Sequence, residues 1–285
     1  MSEMDLFKRA LAKRKERQAL MIAQEGMERT ILSELEEIER RENIRILHCV
    51  ESGSRVWGFA SPDSDYDVRF IYVRPKEHYL RLDETRDVIR WQLDDTLDIN
   101  GWDVKKVLTH LHRSDPTLFE WSLSPIIYKT TEEWQRICPV VDRYFLAGSG
   151  LHHYLGTATS NFRDCLQGDV VHYKKYFYVL RPLLACKWIL DKGTPPPVDF
   201  RTLMDAYLDK ELVPDVQRLL ELKTTAPPII KGAPIENVNE YIERTIKELE
   251  GRIDALPSPK NEGWAELNSL FLEIILGNDR KHTEL

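Results

Sequence analysis

The chain has 285 residues, of which 42% are hydrophobic and 31% charged, and its formal net charge is -7. This composition is typical of a globular protein with one large or two ordinary domains. The negative net charge excludes a general attraction to nucleic acid or to anionic membranes, although a local basic patch remains possible. No apolar run has the length of a membrane span, and the four cysteines lack metal-ligand spacing, which together predict a cytoplasmic protein with reduced thiols and no membrane partner.

Residues 1–42 are predicted to form an N-terminal helical extension. From Met4 to Glu42 the sequence is rich in Lys, Arg, Glu, Leu and Ala, which favours helix, with an interruption expected near Gly26. Basic residues cluster between Lys8 and Arg17. This cluster fits a solvated helix face better than a grip on an RNA backbone, and both interpretations remain open.

A predicted strand from Ile44 to Val50 ends in the turn Gly53-Ser54-Arg55. Backbone N–H groups are free where such a strand ends, and a helix starting nearby would add its dipole, so the turn is a candidate anion site. Ser54 adds a hydroxyl donor, and Gly53 has no Cβ to keep a phosphate away from the backbone.

Two aspartates, Asp65 and Asp67, precede the apolar run Val68–Val73. Residues i and i+2 of a strand point to the same face, so the two carboxylates are expected to project together. Carboxylate oxygens suit Mg²⁺, which usually binds one or two carboxylates together with substrate phosphates. Turn formation alone would explain Asp, Ser and Gly here, but the order of turn, loop and Asp-x-Asp favours a phosphate loop followed by a metal-binding strand.

This ordered motif resembles the signature of the polymerase-beta nucleotidyltransferase superfamily. Further segments are similar to predicted bacterial and phage nucleotidyltransferases associated with RNA repair. The resemblance implies transfer of a nucleoside monophosphate from a nucleoside triphosphate, dependent on Mg²⁺ or Mn²⁺, and leaves the acceptor open. The segments that carry it, besides Gly53–Arg55 with Gly58 and Ser64–Asp67, are Asn100–Asp103, Pro116–Trp121 with Ser124-Pro125, and Tyr178–Pro182.

The same resemblance implies a third carboxylate on a later strand beside the Asp-x-Asp strand. Asp98 lies in the apolar stretch Leu97-Asp98-Ile99, which places it in the sheet, and it is the preferred third ligand and general base. Asp103 is the alternative, although an N-cap of the following helix explains it fully. Asp65, Asp67 and Asp98 are thus the predicted catalytic and metal-binding residues.

A helical pattern over Val170–Arg181 places Lys174, Tyr178 and Arg181 on one face, next to Lys175. Cations suit the tail of a triphosphate and an aromatic ring suits a base, and the resemblance places this helix over the nucleotide. A helix that buries its apolar residues and leaves the basic ones in water explains the pattern equally well. Pro182 is expected to kink the helix or to end it at Arg181.

The predicted fold class is α+β: a catalytic domain over residues 43–130, with a mixed sheet and flanking helices, is followed by an α-helical bundle over residues 131–285. The preferred function is nucleotidyl transfer by two-metal catalysis to a hydroxyl on RNA, protein or a small molecule, with release of pyrophosphate. RNA is preferred through the resemblance alone. A nucleotide-binding or interaction module that has lost turnover is the alternative, and the preferred base and the oligomeric state stay open.

Overall fold

The computed structural model describes residues 25–61, 64–83, 85–92, 96–225, 230–253, 261 and 263–277. The basic cluster between Lys8 and Arg17 therefore lies outside the described residues, as do Pro62, Asp63, Asp94 and Asp95. Within the described ranges, no helix is long and apolar enough to cross a membrane.

A five-stranded mixed sheet forms the centre of the first half of the chain, with strand order β3-β4-β2-β1-β5. Strands β2 and β4 are parallel neighbours, and the other neighbouring pairs are antiparallel. A parallel pair needs a crossover, and here β3 and its flanking loops provide it. The strands are β1 (Arg45–Ser52), β2 (Tyr66–Val73), β3 (Val88–Gln92), β4 (Leu97–Asp103) and β5 (Ile127–Thr130).

Helices cover both faces of this sheet. Helix α1, residues 25–42, buries Ile31, Leu35 and Ile38 against one face. Because the described residues begin at residue 25, the interruption expected near Gly26 stays a prediction. The other helices of this half are α2 (Gly53–Val56), α3 (Lys76–Tyr79), α4 (Val104–His112), α5 (Pro116–Ser122) and α6 (Glu132–Val141).

The second half of the chain is mainly helical, as predicted. Its helices are α7 (Ala147–Cys165), α8 (Lys175–Lys192), α9 (Phe200–Tyr207), α10 (Val213–Thr225), α11 (Glu236–Ile253) and α12 (Ala265–Gly277), and a small antiparallel pair joins β6 (Val171–His172) to β7 (Lys231–Gly232). The α+β fold class is confirmed. Helices α7 to α11 share one apolar core, and Phe59 from the loop after α2 inserts into it.

Helix α8 departs from its predicted boundaries. Val171 and His172 form a strand instead of its first turn, and the helix continues through Pro182 to Lys192. Of the two outcomes expected at Pro182, an end at Arg181 is wrong, because burial of Leu180, Leu183 and Leu184 outweighs the backbone hydrogen bond that proline removes. The kink stays a prediction.

The apolar core on the second face of the sheet includes helices from beyond residue 130. Trp134 and Ile137 of α6 and Leu267 and Ile274 of α12 pack there together with Val107 of α4. The boundary proposed between residues 130 and 131 stays a prediction. Helices α6 and α12 therefore pack against the five-stranded sheet and help to support it.

Candidate active site

Two acidic side chains meet across the parallel strands β2 and β4. Asp67 lies opposite Asp98 in the strand register. The guanidinium of Arg69 bridges them: its Nη2 donates to Asp67 Oδ1 at 2.9 Å and to Asp98 Oδ2 at 2.8 Å. Its Nη1 donates to the backbone carbonyl of Asp98 at 3.0 Å, which fixes the guanidinium to the sheet.

The bridge follows from strand periodicity, because Arg69 is two residues after Asp67 and shares its face. Burial raises the pKa of Asp67, the charge of Arg69 opposes this, and the negative charges of Asp98 and Asp65 add to it. Arg69 uses one oxygen of each carboxylate. Asp67 Oδ2 and Asp98 Oδ1 lie outside the ion pair and can accept another cation.

Asp65 is exposed and precedes β2 by one residue. Its charge acts on Asp67, so the two residues are neighbours. However, the described residues contain no group of three or more His, Cys, Asp or Glu side chains arranged to hold a metal ion. Asp67 and Asp98 offer the oxygen ligands that Mg²⁺ prefers, with water and phosphate to complete its shell, while the role of Asp65 as a further ligand stays a prediction.

The Gly53 turn lies directly against Asp67. Gly53 has φ +65°, and a Cβ built on it would lie 2.1 Å from Asp67 Oδ2. Glycine is required here both for the left-handed backbone and for this close approach. Ser54 follows as the second residue of α2. The structure thus brings together the predicted phosphate turn and the free oxygen of the predicted metal-binding carboxylate.

Arg55 is occupied by the loop that joins α2 to β2. Its Nη2 donates to the carbonyl of Ser64 at 2.6 Å and its Nε to that of Asp65 at 3.1 Å. The guanidinium also lies 3.5 Å from the centre of the Tyr66 ring. Arg55 therefore fixes the backbone beside the acidic residues, and its predicted contact with a nucleotide stays a prediction.

Helix α8 supplies a partly buried aromatic ring near the acidic pair. Burial and then the charges of Asp67 and Asp65 raise the pKa of Tyr178, so this tyrosine lies in their electrostatic field. Lys175 Nζ is 5.1 Å from the centre of its ring. Lys174 is exposed at the N-cap of α8. The interpretation that leaves the basic residues exposed to water fits Lys174. Tyr178 lies near the acidic pair, and Lys175 lies next to Tyr178.

Arg181 lies in the interior, where neither sequence interpretation placed it. Only 3% of its side chain is exposed, and its Nη1 pairs with Glu120 Oε1 at 3.0 Å. Its Nε donates to the carbonyl of Val198, and its guanidinium lies 4.6 Å from the centre of the Trp57 ring. The interpretation that left Arg181 in water is wrong, because Glu120 and Trp57 enclose it. Its contact with a triphosphate stays a prediction.

Arg181→Met is expected to lower the free energy of unfolding by about 3–5 kcal/mol, because Glu120, whose side chain is 18% exposed, would keep its charge without the cation. Urea unfolding measures the change. The matched control is Arg163→Met, which breaks an exposed ion pair with Asp164 and should change stability by less than about 0.5 kcal/mol. Equal small losses in both variants would show that the Arg181 pair contributes no more than a surface pair.

Glu51 was missed by sequence reasoning. It is completely buried at the end of β1, where its carboxylate accepts from Asp67 N at 2.8 Å and from the Tyr128 hydroxyl at 2.6 Å. Burial raises its pKa. The sequence did contain a signal for Glu51, because this glutamate lies between the apolar residues of the predicted strand and the Gly-Ser turn. The hydrogen bond from Asp67 N to the Glu51 carboxylate fixes the backbone of Asp67 and so helps to orient the acidic pair.

Asp103 lies at the opposite end of β4 from this pair and caps α4, as predicted. Its carboxylate accepts from Lys105 N at 2.8 Å and from the Tyr79 hydroxyl at 2.9 Å. Burial raises the pKa of Asp103 to about 6. Of the two alternatives for the third carboxylate, the structure therefore places Asp98, and not Asp103, beside Asp67.

The raised pKa of Asp103 predicts a pH effect on stability. The folded protein holds this proton more tightly than the unfolded chain, whose aspartate titrates near ~3.9, so the charged carboxylate costs stability as the pH rises from about 4 to about 6. Asp103→Asn keeps a good N-cap and removes the titration. The unfolding free energy of the variant, minus that of the wild type, should increase by up to about 3 kcal/mol from pH 4 to pH 7. A difference independent of pH would disprove this assignment.

Comparison with known proteins identifies the family. The model of RlaP, described as the RNA repair pathway DNA polymerase beta family, matches residues 27–273. The chain belongs to this family. The resemblance stated from the sequence is confirmed, and membership in a polymerase-beta-like nucleotidyltransferase family indicates nucleotidyl transfer in general, with a nucleoside triphosphate as substrate.

Two individual proteins are similar to this family member. The uncharacterized protein YcgL of Bacillus subtilis (strain 168) is 42% identical over 253 residues, which are 87% of this chain and 96% of that protein. The crystal structure of a nucleotidyltransferase-like protein from Exiguobacterium sibiricum 255-15 covers 80% of this chain and 75% of its own, with 17% identity and a TM-score of 0.28. At that TM-score the structural likeness carries no argument.

Proposed function

We propose that the protein transfers a nucleoside monophosphate from a nucleoside triphosphate to a hydroxyl acceptor and releases pyrophosphate, with Mg²⁺ or Mn²⁺ at Asp67 and Asp98. The contact between the Gly53 turn and Asp67 Oδ2 supports this proposal best, because it puts the predicted phosphate turn directly beside a carboxylate oxygen that Arg69 does not engage.

Each residue has a defined task in this proposal. Asp67 Oδ2 and Asp98 Oδ1 offer oxygen ligands, Asp65 adds charge beside them, and Arg69 holds both carboxylates in place through their other oxygens. The bound cations would lower the pKa of the attacking hydroxyl and neutralise the departing pyrophosphate. Asp98, the more exposed of the pair, accepts the proton of the attacking hydroxyl.

The triphosphate is assigned to the turn and to α8. Gly53 allows the phosphates to approach the backbone, and the Ser54 hydroxyl donates to them. Lys175 supplies a cation, and Tyr178 a ring for the base. Lys174, Arg55 and Arg181 are kept as weaker nucleotide contacts, since Arg55 and Arg181 are engaged elsewhere. RNA is the proposed acceptor, supported by the description of the family.

One observation favours a second function, a nucleotide-binding module without turnover. Arg69 already neutralises part of the charge of Asp67 and Asp98, and the described residues form no three-member metal group. If this ion pair persists when a nucleotide binds, Arg69 takes the place of a metal and transfer stops.

Labelled nucleotides separate the two functions. The protein is incubated with each α-labelled triphosphate, Mg²⁺ or Mn²⁺, and RNA, protein or small-molecule acceptors from a cell extract. Transfer predicts label on one acceptor class with the wild type and none with Asp98→Asn. Saturable triphosphate binding, with no label on any acceptor, would support the module.

A further inference from the structure

A second polar pocket lies at the opposite end of β4 from Asp98. It has a volume of about 670 Å³ and lies between α3, the loop before β3 and α4. We call it the distal pocket. Its lining includes the cations Arg81, Arg86, Lys105, Lys106 and Arg113 and the acids Asp83, Asp87 and Asp103.

The acidic side chains of the distal pocket are engaged by contacts within the pocket. Asp83 pairs with Arg81, and Asp87 pairs with Lys106. The carboxylate of Asp103 is engaged by the N–H of Lys105 and by the hydroxyl of Tyr79. The pocket therefore contains more cations than its acids neutralise, although the whole chain has a net charge of -7.

The remaining cations of the distal pocket are Arg86, Lys105 and Arg113. All three are exposed, and in the part of the chain that the structure describes none of them forms an ion pair. The local field is also positive at His78, another lining residue, because the charges of Arg74 and Arg81 add to burial in lowering its pKa.

Two of these cations are spaced along one face. Lys105, Thr109 and Arg113 follow at intervals of four residues over α4 and its C-cap, and all three line the pocket. Such residues lie above one another on a helix, and eight residues at a rise of ~1.5 Å separate Lys105 from Arg113 by about 12 Å. Stacked nucleotides rise ~3.4 Å each, so this length spans three or four phosphates.

We propose that the distal pocket binds the phosphodiester backbone of a single-stranded RNA whose end is the acceptor at Asp67 and Asp98. The role of the RNA end as acceptor rests on the proposed function, whereas binding of the RNA backbone in the distal pocket does not. Asp103 lies five positions after Asp98 on β4, which at a rise of ~3.3 Å per residue is about 16 Å, or about five stacked nucleotides. Contacts of this kind read phosphates and not base sequence.

Binding of a fluorescent RNA oligonucleotide, followed by anisotropy in EDTA over a series of salt concentrations, tests the proposal without metal or triphosphate. The variant Arg86→Ala/Lys105→Ala/Arg113→Ala should bind at least about tenfold more weakly, and its slope of log affinity against log salt should fall by about 2, because about 0.7 is lost for each phosphate contact. Both changes should be the same for oligonucleotides of different sequence.

The matched control removes three exposed cations from the helical half: Arg201→Ala/Lys210→Ala/Lys247→Ala. It should bind RNA like the wild type, and because the assay contains neither metal nor triphosphate, it reports on the pocket whether or not the protein transfers nucleotides. Equal affinity and slope in the distal-pocket variant and the wild type would overturn the proposal. So would an equal loss in the control, no RNA binding at all, or a pocket that binds AMP or inorganic phosphate but not the oligonucleotide.

Discussion

Asp67→Asn is expected to lower the rate of nucleotidyl transfer by at least about 10²- to 10³-fold while the protein stays folded. The amide removes the negative charge that Arg69 and a divalent cation share, yet it has nearly the same shape and can still accept from Arg69. The rate is measured with α-labelled triphosphate under saturating Mg²⁺, and the fold by circular dichroism and thermal unfolding.

Asp103→Asn is the matched control for this substitution. It makes the same chemical change at the other end of β4, where the carboxylate caps a helix. Because Asp103 lines the distal pocket, the rate is measured at a saturating acceptor concentration, where it should stay within about twofold to threefold of the wild type. If Asp67→Asn retains the wild-type rate, Asp67 is not part of the reacting centre; if Asp103→Asn loses as much, the effect belongs to sheet stability and not to chemistry.

Gly53→Ala is expected to abolish transfer and to destabilise the protein by about 1–3 kcal/mol. The new Cβ would collide with Asp67 Oδ2, and the left-handed φ of +65° is unfavourable for alanine. The collision would displace the Asp67 carboxylate that faces the turn. At a temperature where the variant is still folded, its activity should therefore fall by more than the loss of folded protein explains.

Gly156→Ala provides the opposite control. Gly156 lies inside α7, where nothing is within 4 Å of an added Cβ. Alanine there should raise stability by about 0.5–1 kcal/mol and leave the rate unchanged. Wild-type transfer by a folded Gly53→Ala variant would show that the turn does not have to approach Asp67 closely.

Local motifs could be predicted from the sequence, whereas their partners could not. The order of Gly53 and Asp67 indicated a phosphate turn before an acidic strand, and the apolar neighbours of Asp98 indicated a strand position. The pairing of Asp67 with Asp98 depends on β2 and β4 becoming parallel neighbours with β3 outside them, so it was expected through the family resemblance and not from residue spacing, which carries no information about that choice.

Arg69 and Arg181 show two different reasons for missed contacts. Arg69 could have been found by the two-residue period that placed Asp65 and Asp67 together, because it continues the same alternation. Arg181 could not, since its partner Glu120 lies 61 residues earlier on α5. A helical pattern states which residues share a face, and only tertiary packing decides whether that face meets solvent, a ligand or another helix.

A crystal soaked with Mn²⁺ and a non-hydrolysable triphosphate analogue locates both ligands directly. If Asp67 and Asp98 hold the metal, an anomalous manganese peak should lie about 2.1 Å from carboxylate oxygens of both residues, with the triphosphate against Gly53 and Ser54. A triphosphate bound elsewhere, or manganese absent while Arg69 still bridges both carboxylates, would contradict this assignment.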